Sequence, residues 1–107
     1  MPKFLLKVAY NAEGTKGLLK EGGSARRATV AEMISAQGGK LETFLYAPGG
    51  TTVYAISDLP DNVTATALTL VIRASGLMDV LESIPLVSPE EIDQAARKVI
   101  NNRSPGK

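Results

Sequence analysis

This protein has few side chains suited to catalysis or metal binding, because the residues on which most enzymes depend are missing. The 107 residues include no histidine and no cysteine. This removes the commonest metal ligand, the usual general base near neutral pH and every thiol nucleophile. The close acidic residues near position 90 are explained by helix capping rather than by metal binding. We therefore expect neither a metal nor a cofactor.

The strongest candidates for a binding site are the three tyrosines together with two charged residues. Pockets for small molecules are mostly apolar and carry a few polar groups, and aromatic side chains on neighbouring strands fit that composition. The alternative is that these aromatic residues only fill the core and an interface. The predicted pocket set is Tyr10, Tyr46, Tyr54, Asp58 and Arg73.

A second candidate is an anion site where a helix begins. Ser24 follows a Gly-Gly pair and precedes Arg26 and Arg27. The free backbone amides and the dipole of a helix N-terminus attract anions, and two arginines would add charge. The alternative is a plain helix start with two solvated arginines. The run 17–24 has nearly the spacing of a phosphate loop, but glycine stands where the phosphate-binding lysine is required.

The overall charge excludes several classes of partner. Twelve Lys and Arg residues against eleven Asp and Glu leave a net charge of +1, with no block of like charge. Nucleic acids and anionic membranes are bound through concentrated positive charge, so neither is an expected partner. The N-terminus does not have the pattern of a signal peptide, and no apolar run reaches the ~20 residues of a membrane span. We expect a cytoplasmic protein.

The order of elements along the chain predicts an α+β fold. Period-two alternation and turn residues predict four strands, and apolar residues at helical spacing predict the intervening helices. The strands are expected at 3–10, 40–47, 51–57 and 77–87, and the main helices at 25–37, 63–75 and from Pro89 onwards. This is a ferredoxin-like βαββαβ order with an added C-terminal helix and a four-stranded antiparallel sheet. Residues 1–101 are predicted to form a single domain, and 102–107 a flexible tail.

Four helix starts carry specific predictions. Asn11 is placed to cap a short helical turn, Ser24 to cap the helix that follows, and Asp61 or Asn62 to cap the third. The C-terminal helix has the clearest signal, because Ser88, Pro89 and Glu91 match a capping box with proline at the first helical position. Its apolar positions predict a buried stripe, formed by Ile92, Ala95, Ala96, Val99 and Ile100.

Both faces of the predicted sheet carry apolar side chains. In the first strand, Phe4 and Val8 alternate with Leu5 and Ala9. In the second strand, strict alternation places Leu41 with Thr43 and Leu45, and Phe44 with Tyr46, on opposite faces. Helices can cover only one face, and an exposed apolar face usually marks an interaction surface. We expect a second copy to cover it as a twofold, sheet-to-sheet homodimer or part of a larger homo-oligomer.

An ordered set of segments resembles the GYD domain family. The segments are KFLLKVAYNAEGTKGLLKEGGSARR, GGKLETFLYAPG, DLPDNVTATALTL and SPEEIDQAARK. The resemblance implies small bacterial or archaeal proteins of ferredoxin-like fold with dimeric α/β-barrel association and no established activity. The family is named after a glycine, a tyrosine and an aspartate at the turn that opens the third strand. In this chain Gly49 matches the glycine, but Thr51 and Thr52 replace the tyrosine and the aspartate. This departure favours a structural role for the turn.

Two functions follow as hypotheses. The first is a self-associating, non-enzymatic protein that binds a small molecule between sheet and helices. The second, which the resemblance to dimeric α/β barrels implies, is a cofactor-independent enzyme of the monooxygenase or isomerase kind. The second would need a proton shuttle, for which Tyr54, Asp58 and Arg73 are the candidates.

Overall fold

A computed structural model describes residues 1–101, with side chains up to Val99. The predicted tail, 102–107, lies outside the described residues. The elements are β1 (Lys3–Tyr10), α1 (Ala12–Glu21), α2 (Gly23–Ala36), β2 (Lys40–Tyr46), β3 (Thr52–Asp58), α3 (Asn62–Ala74), β4 (Met78–Leu86) and α4 (Pro89–Asn101).

The sheet confirms the ferredoxin-like prediction. Its four strands run in the order β2-β3-β1-β4, and every neighbouring pair is antiparallel. The two halves of the chain therefore interleave, with β1 and β3 in the centre. Pro85 lies in the edge strand β4, where a residue without an N–H group is tolerated because no further strand needs its hydrogen bond.

The first crossover contains two helices. Asn11 caps α1 as predicted, because its side chain accepts a hydrogen bond from the backbone N–H of Gly14 at 2.9 Å. Gly22 then separates the helices with φ of +88° and ψ of 161°, a conformation open mainly to glycine. Gly22 is also the N-cap of α2, with no side-chain capping bond. The prediction of Ser24 as N-cap is thus wrong, because Gly22 already caps the helix two residues earlier.

One face of the sheet packs against the helices through two apolar clusters. Phe4 forms the first with Ile34, Leu59 and Leu68. The second cluster is Val8, Tyr10, Val53 and Ile72. Residues that alternate with these along β1 and β3, such as Leu5 and Ile56, project from the opposite face, which no element within residues 1–101 covers. We call this the open face.

A bulge in β2 changes the predicted alternation. Leu41 pairs with Ser57 but Thr43 pairs with Ile56, so one extra residue, Glu42, is inserted between them. The insertion returns Leu41 and Phe44 to the same side of the sheet, where both pack against the helix-facing clusters. The prediction that they lie on opposite faces is therefore wrong, and Phe44 and Tyr46 do not belong to the open face.

The C-terminal helix α4 begins as predicted, but its apolar side chains are exposed. Ser88 Oγ accepts a hydrogen bond from the Glu91 backbone N–H, and the Ser88 N–H donates to the Glu91 carboxylate at 2.9 Å. The predicted burial of its stripe is wrong for the described side chains, since Ile92 is 56% and Val99 64% exposed; the side chain of Ile100 lies outside the described residues. The helix makes no extensive contact with the other described elements.

Two glycines of α1 allow a matched stability test of this packing. A Cβ at Gly14 would lie 2.3 Å from the Leu77 carbonyl oxygen, whereas a Cβ at Gly17 meets nothing within 4 Å. We expect Gly14→Ala to lower the free energy of unfolding by about 1–3 kcal/mol through overpacking. Gly17→Ala should raise it by about 0.5–1 kcal/mol through helix propensity. Urea denaturation measures both, and equal effects would contradict the packing of α1 against Leu77.

Candidate functional site

A cavity lies between the two helices that cover the sheet. Helix α2 packs over β2 at one edge and α3 over β4 at the other. The middle strands β1 and β3 are consequently covered less closely than the edges. The space left above them has a volume of about 170 Å³.

The lining of the cavity is almost entirely apolar. Its floor comes from the helix-facing side of the sheet, through Leu6, Val8, Phe44, Val53, Ala55 and Met78. The helices contribute Val30 and Met33 from α2 and Val71 and Ile72 from α3. The spacing of Arg26, Val30 and Met33 along α2 is that of one helix face, which is why an arginine joins this apolar lining.

The polar part of the cavity is built around Arg26 and Tyr10. The guanidinium group lies over the Tyr10 ring, 5.6 Å from its centroid, and Nε donates to the Tyr10 hydroxyl at 3.5 Å. Nη1 of Arg26 lies 3.6 Å from the Glu21 carboxylate. The Tyr10 hydroxyl, and to a lesser degree Glu21, raise the pKa of Arg26 above its ordinary value. The cavity therefore carries one permanent positive charge.

The two other hydroxyls of the lining already have partners. Thr29 Oγ1 donates to the carbonyl of Ala25 at 3.1 Å, and Ser75 Oγ donates to the carbonyl of Ile72 at 2.6 Å. Such local bonds to the preceding helical turn leave these side chains weak candidates for ligand contacts. Arg26 and Tyr10 are thus the polar groups best placed to meet a ligand.

Tyr46 supports this arrangement from beside the cavity. Its hydroxyl donates to the backbone carbonyl of Gly23 at 3.2 Å, which joins β2 to the start of α2. Its ring packs edge-to-face on Phe44, with centroids 5.4 Å apart. Burial, together with the neighbouring Tyr10, raises the pKa of the Tyr46 hydroxyl. The start of α2, and with it Arg26, is thereby held against the sheet.

The structure separates the predicted pocket set. Tyr10 lines the cavity and Tyr46 lies beside it. Tyr54 and Asp58 are on the open face, because they have the opposite parity in β3 from the buried Val53 and Ala55. Arg73 is exposed and donates to the backbone carbonyl of Val80 at 3.3 Å, outside the cavity lining. These five residues therefore do not form one pocket.

Three charged residues near one end of the open face form a cluster, apart from the Lys7–Glu82 pair on the same face. Lys3 donates to Glu42 and, at 2.9 Å, to Asp58. These bonds, Glu42 first, raise the pKa of Lys3 to about 12, and the bond with Lys3 lowers the pKa of Asp58. Asp58 thus acts as an ionised partner of Lys3.

The predicted anion set is also divided. Arg26 points to the cavity, whereas Ser24 and Arg27 line a shallow hollow beside Phe44 and Tyr46. An anion at the helix start would not meet both arginines. Sequence reasoning singled out Arg26 for the helix N-terminus and missed its place in the cavity. Its helical spacing with Val30 and Met33 was the signal that could have revealed it.

The turn between β2 and β3, where the GYD family carries the motif that names it, contributes no side chain to the cavity lining. Gly49 has φ of +74°, the backbone conformation that glycine adopts without steric cost. The Thr51 carbonyl accepts from the Tyr10 N–H at 3.0 Å, and the Thr52 carbonyl accepts from Ala47 at 2.9 Å. Both threonines therefore tie the turn to the sheet through their backbones, and neither lines the cavity.

Metal binding and membrane insertion find no support in the described part of the chain. Within it, no three acidic side chains converge as they would around a metal ion. No helix in residues 1–101 has the length and apolar character to cross a bilayer.

Comparison with known proteins gives a family. The GYD domain model matches residues 4–96, nearly the whole chain. No protein of curated function and no solved structure matches the chain. With a family match over this length and the ferredoxin-like sheet order described above, the chain belongs to the GYD domain family.

Proposed function

We propose that this protein is a self-associating, non-enzymatic binding protein that holds a small molecule between its sheet and helices. The observation that carries this proposal is the apolar cavity of about 170 Å³ between α2 and α3. The cavity opens to solvent beside Val71, which is 56% exposed, so a ligand can enter it. A bound apolar group would remove the lining at Val8, Val53 and Ile72 from water, which is favourable.

The size of the cavity limits the ligand. An apolar cavity of about 150 Å³ stays dry and binds benzene. The present cavity is slightly larger, at about 170 Å³. Pockets for larger ligands typically measure about 300–1,000 Å³. A molecule with one ring or a short branched chain fits, and a nucleotide does not.

The alternative function is a cofactor-independent enzyme of the monooxygenase or isomerase kind. Such an enzyme needs a proton-transfer group that faces its substrate. Of the described residues that line the cavity, Tyr10 and Arg26 are the titratable ones. The residues expected to act as proton shuttles, Tyr54, Asp58 and Arg73, lie outside the lining. This distribution favours binding over catalysis.

Self-association is proposed through the open face. Cross-strand pairing aligns Thr43, Ile56, Leu5 and Ile84 in one row across all four strands. Leu45 and Tyr54 lie beside this row and are 62% and 38% exposed. Lys3 and its acidic partners flank the row towards one end. An apolar centre with a charged border is the usual anatomy of a protein interface, and a second copy would match it by twofold symmetry.

The area of the open face suggests that α4 also takes part. Four strands about 4.8 Å apart and about seven residues long give a face of roughly 19 by 23 Å, or roughly 440 Å². A stable dimer usually buries about 800 Å² per partner. Helix α4 begins three residues after β4 ends, and its exposed stripe supplies further apolar surface. An isolated helix of 13 residues is also marginal in water, so a second copy that covers α4 would stabilise it.

The role of the open face in self-association can be tested by introducing a charged side chain there. We expect Leu5→Glu to weaken association at least roughly tenfold, because burying an unpaired carboxylate costs more than the ~1.4 kcal/mol that one factor of ten represents. Leu19→Glu is the matched control, since Leu19 is 83% exposed on α1, away from the open face. Sedimentation equilibrium of the wild type and both variants measures the oligomer. A wild type that stays monomeric at high concentration would contradict the proposal.

Ligand binding in the cavity can be tested by filling the cavity with a larger side chain. Ala55 is 3% exposed and lies on the cavity floor. We expect toluene at ten times its dissociation constant to stabilise the wild type by about 1.4 kcal/mol, or several degrees in melting temperature. Ala55→Leu should abolish this shift by occupying the space. Ala28→Leu, the same change at an exposed position of α2, should leave it intact. A shift that survives in Ala55→Leu would place toluene elsewhere.

A further inference from the structure

We propose that the ligand of this cavity is an apolar monoacid, with its ring or chain among the aliphatic residues and its anionic group beside Arg26 and Tyr10. This inference rests on the proposed binding function and adds the chemical class of the ligand. It follows from the position of one arginine at an otherwise apolar site.

Arg26 is held in a partly dehydrated position without a close partner. Its side chain is only 17% exposed. Its contacts with the Tyr10 hydroxyl and the Glu21 carboxylate are 3.5 and 3.6 Å. Good hydrogen bonds from N–H to oxygen are 2.7–3.2 Å long, and those to an anion are shorter still. Among the described residues, Arg26 therefore keeps donor capacity that a carboxylate could use in two parallel bonds.

Glu21 does not satisfy this charge. Its side chain is 46% exposed, so water competes for the carboxylate, and exposed ion pairs contribute little. A ligand carboxylate that enters from the cavity would approach the less exposed side of the guanidinium. There the local dielectric constant is lower and the interaction is correspondingly stronger. Glu21 can turn to solvent when the ligand binds.

Tyr10 provides the second contact and fixes the orientation. Its hydroxyl accepts from Arg26 Nε and can turn its own proton towards a ligand oxygen. The same ring lines the cavity and is 6% exposed. A ligand whose acidic group meets Arg26 and Tyr10 therefore directs its apolar part onto Val8, Val53 and Ile72.

The charge of the site selects among ligand classes. A cation would be repelled by Arg26, and a phosphate dianion would need more positive charge than this one arginine provides. A neutral ring would fill the apolar space but leave the arginine without a new partner. A monoanion with a small apolar body satisfies both parts of the site.

Three compounds that share one ring test this inference: benzoate, benzyl alcohol and toluene. Binding to the full-length protein is measured by isothermal titration calorimetry, and methyl NMR shifts locate the compound. We expect the wild type to bind benzoate about 10–100-fold more tightly than benzyl alcohol, as for a hydrogen bond to a charged group. Arg26→Gln should remove this preference by weakening benzoate far more than benzyl alcohol, and toluene, which makes no hydrogen bond, reports whether the cavity is intact.

Arg27→Gln is the matched control, because Arg27 is the next residue of α2 and does not line the cavity. It should retain the preference for benzoate. If Arg26→Gln does not fold, Tyr10→Phe keeps the ring and removes only the hydroxyl, and should lower benzoate affinity several-fold.

The outcomes separate the two proposals. Equal affinities for benzoate and benzyl alcohol in the wild type would overturn the ligand class while leaving the binding function in place. A preference for benzoate that survives in Arg26→Gln, or a benzoate affinity that is unchanged in Tyr10→Phe if that variant is used, would do the same. Failure of all three compounds to shift the methyl groups of Val8, Val53 and Met33 would overturn the binding function itself, and the ligand class with it.

Discussion

The separation of the two covering helices is the constraint on which the candidate site depends. Because α2 follows one edge of the sheet and α3 the other, the side chains of β1 and β3 between them are only partly covered. The edge-to-face contact of Tyr46 with Phe44, and the bond from Tyr46 to the Gly23 carbonyl, hold the start of α2 over β2. The cavity is thus a consequence of helix placement, and Arg26 enters it because α2 begins where it does.

The two sides of the sheet have different roles for the same geometric reason. A strand projects successive side chains to opposite faces, so one alternating set builds the core and cavity and the other builds the open face. Tyr10 and Tyr54 illustrate the separation, since they lie in adjacent strands and yet face opposite ways. A ligand in the cavity and a second copy on the open face would consequently not compete for the same surface.

Two errors of the sequence analysis have physical causes: one extra residue in strand β2, and an apolar helix stripe that the described chain does not cover. Strict alternation assigned Leu41 and Phe44 to opposite faces, and the bulge at Glu42 brought them to the same one. The stripe of α4 was expected to be buried because amphipathic helices usually are. Within the part of the chain that the structure describes, this stripe has no covering surface, which is why we propose a partner for it. A bulge leaves no direct mark in local periodicity, and the periodicity of an apolar stripe does not tell whether the stripe packs on its own chain or on another.

The sequence by itself determined the local elements: the strand alternation of β1, the cap at Asn11, the capping box at Ser88 and the βαββαβ order. These depend on neighbours within a few residues, so a one-dimensional pattern contains them. It also limited the chemistry, since a chain without histidine or cysteine has few catalytic groups. Only the tertiary structure decided that Arg26 joins Tyr10 while Arg27 does not. This difference between the two arginines depends on the rotation of α2 about its axis and on its distance from α3. Both are set by packing contacts between residues that are far apart in the sequence.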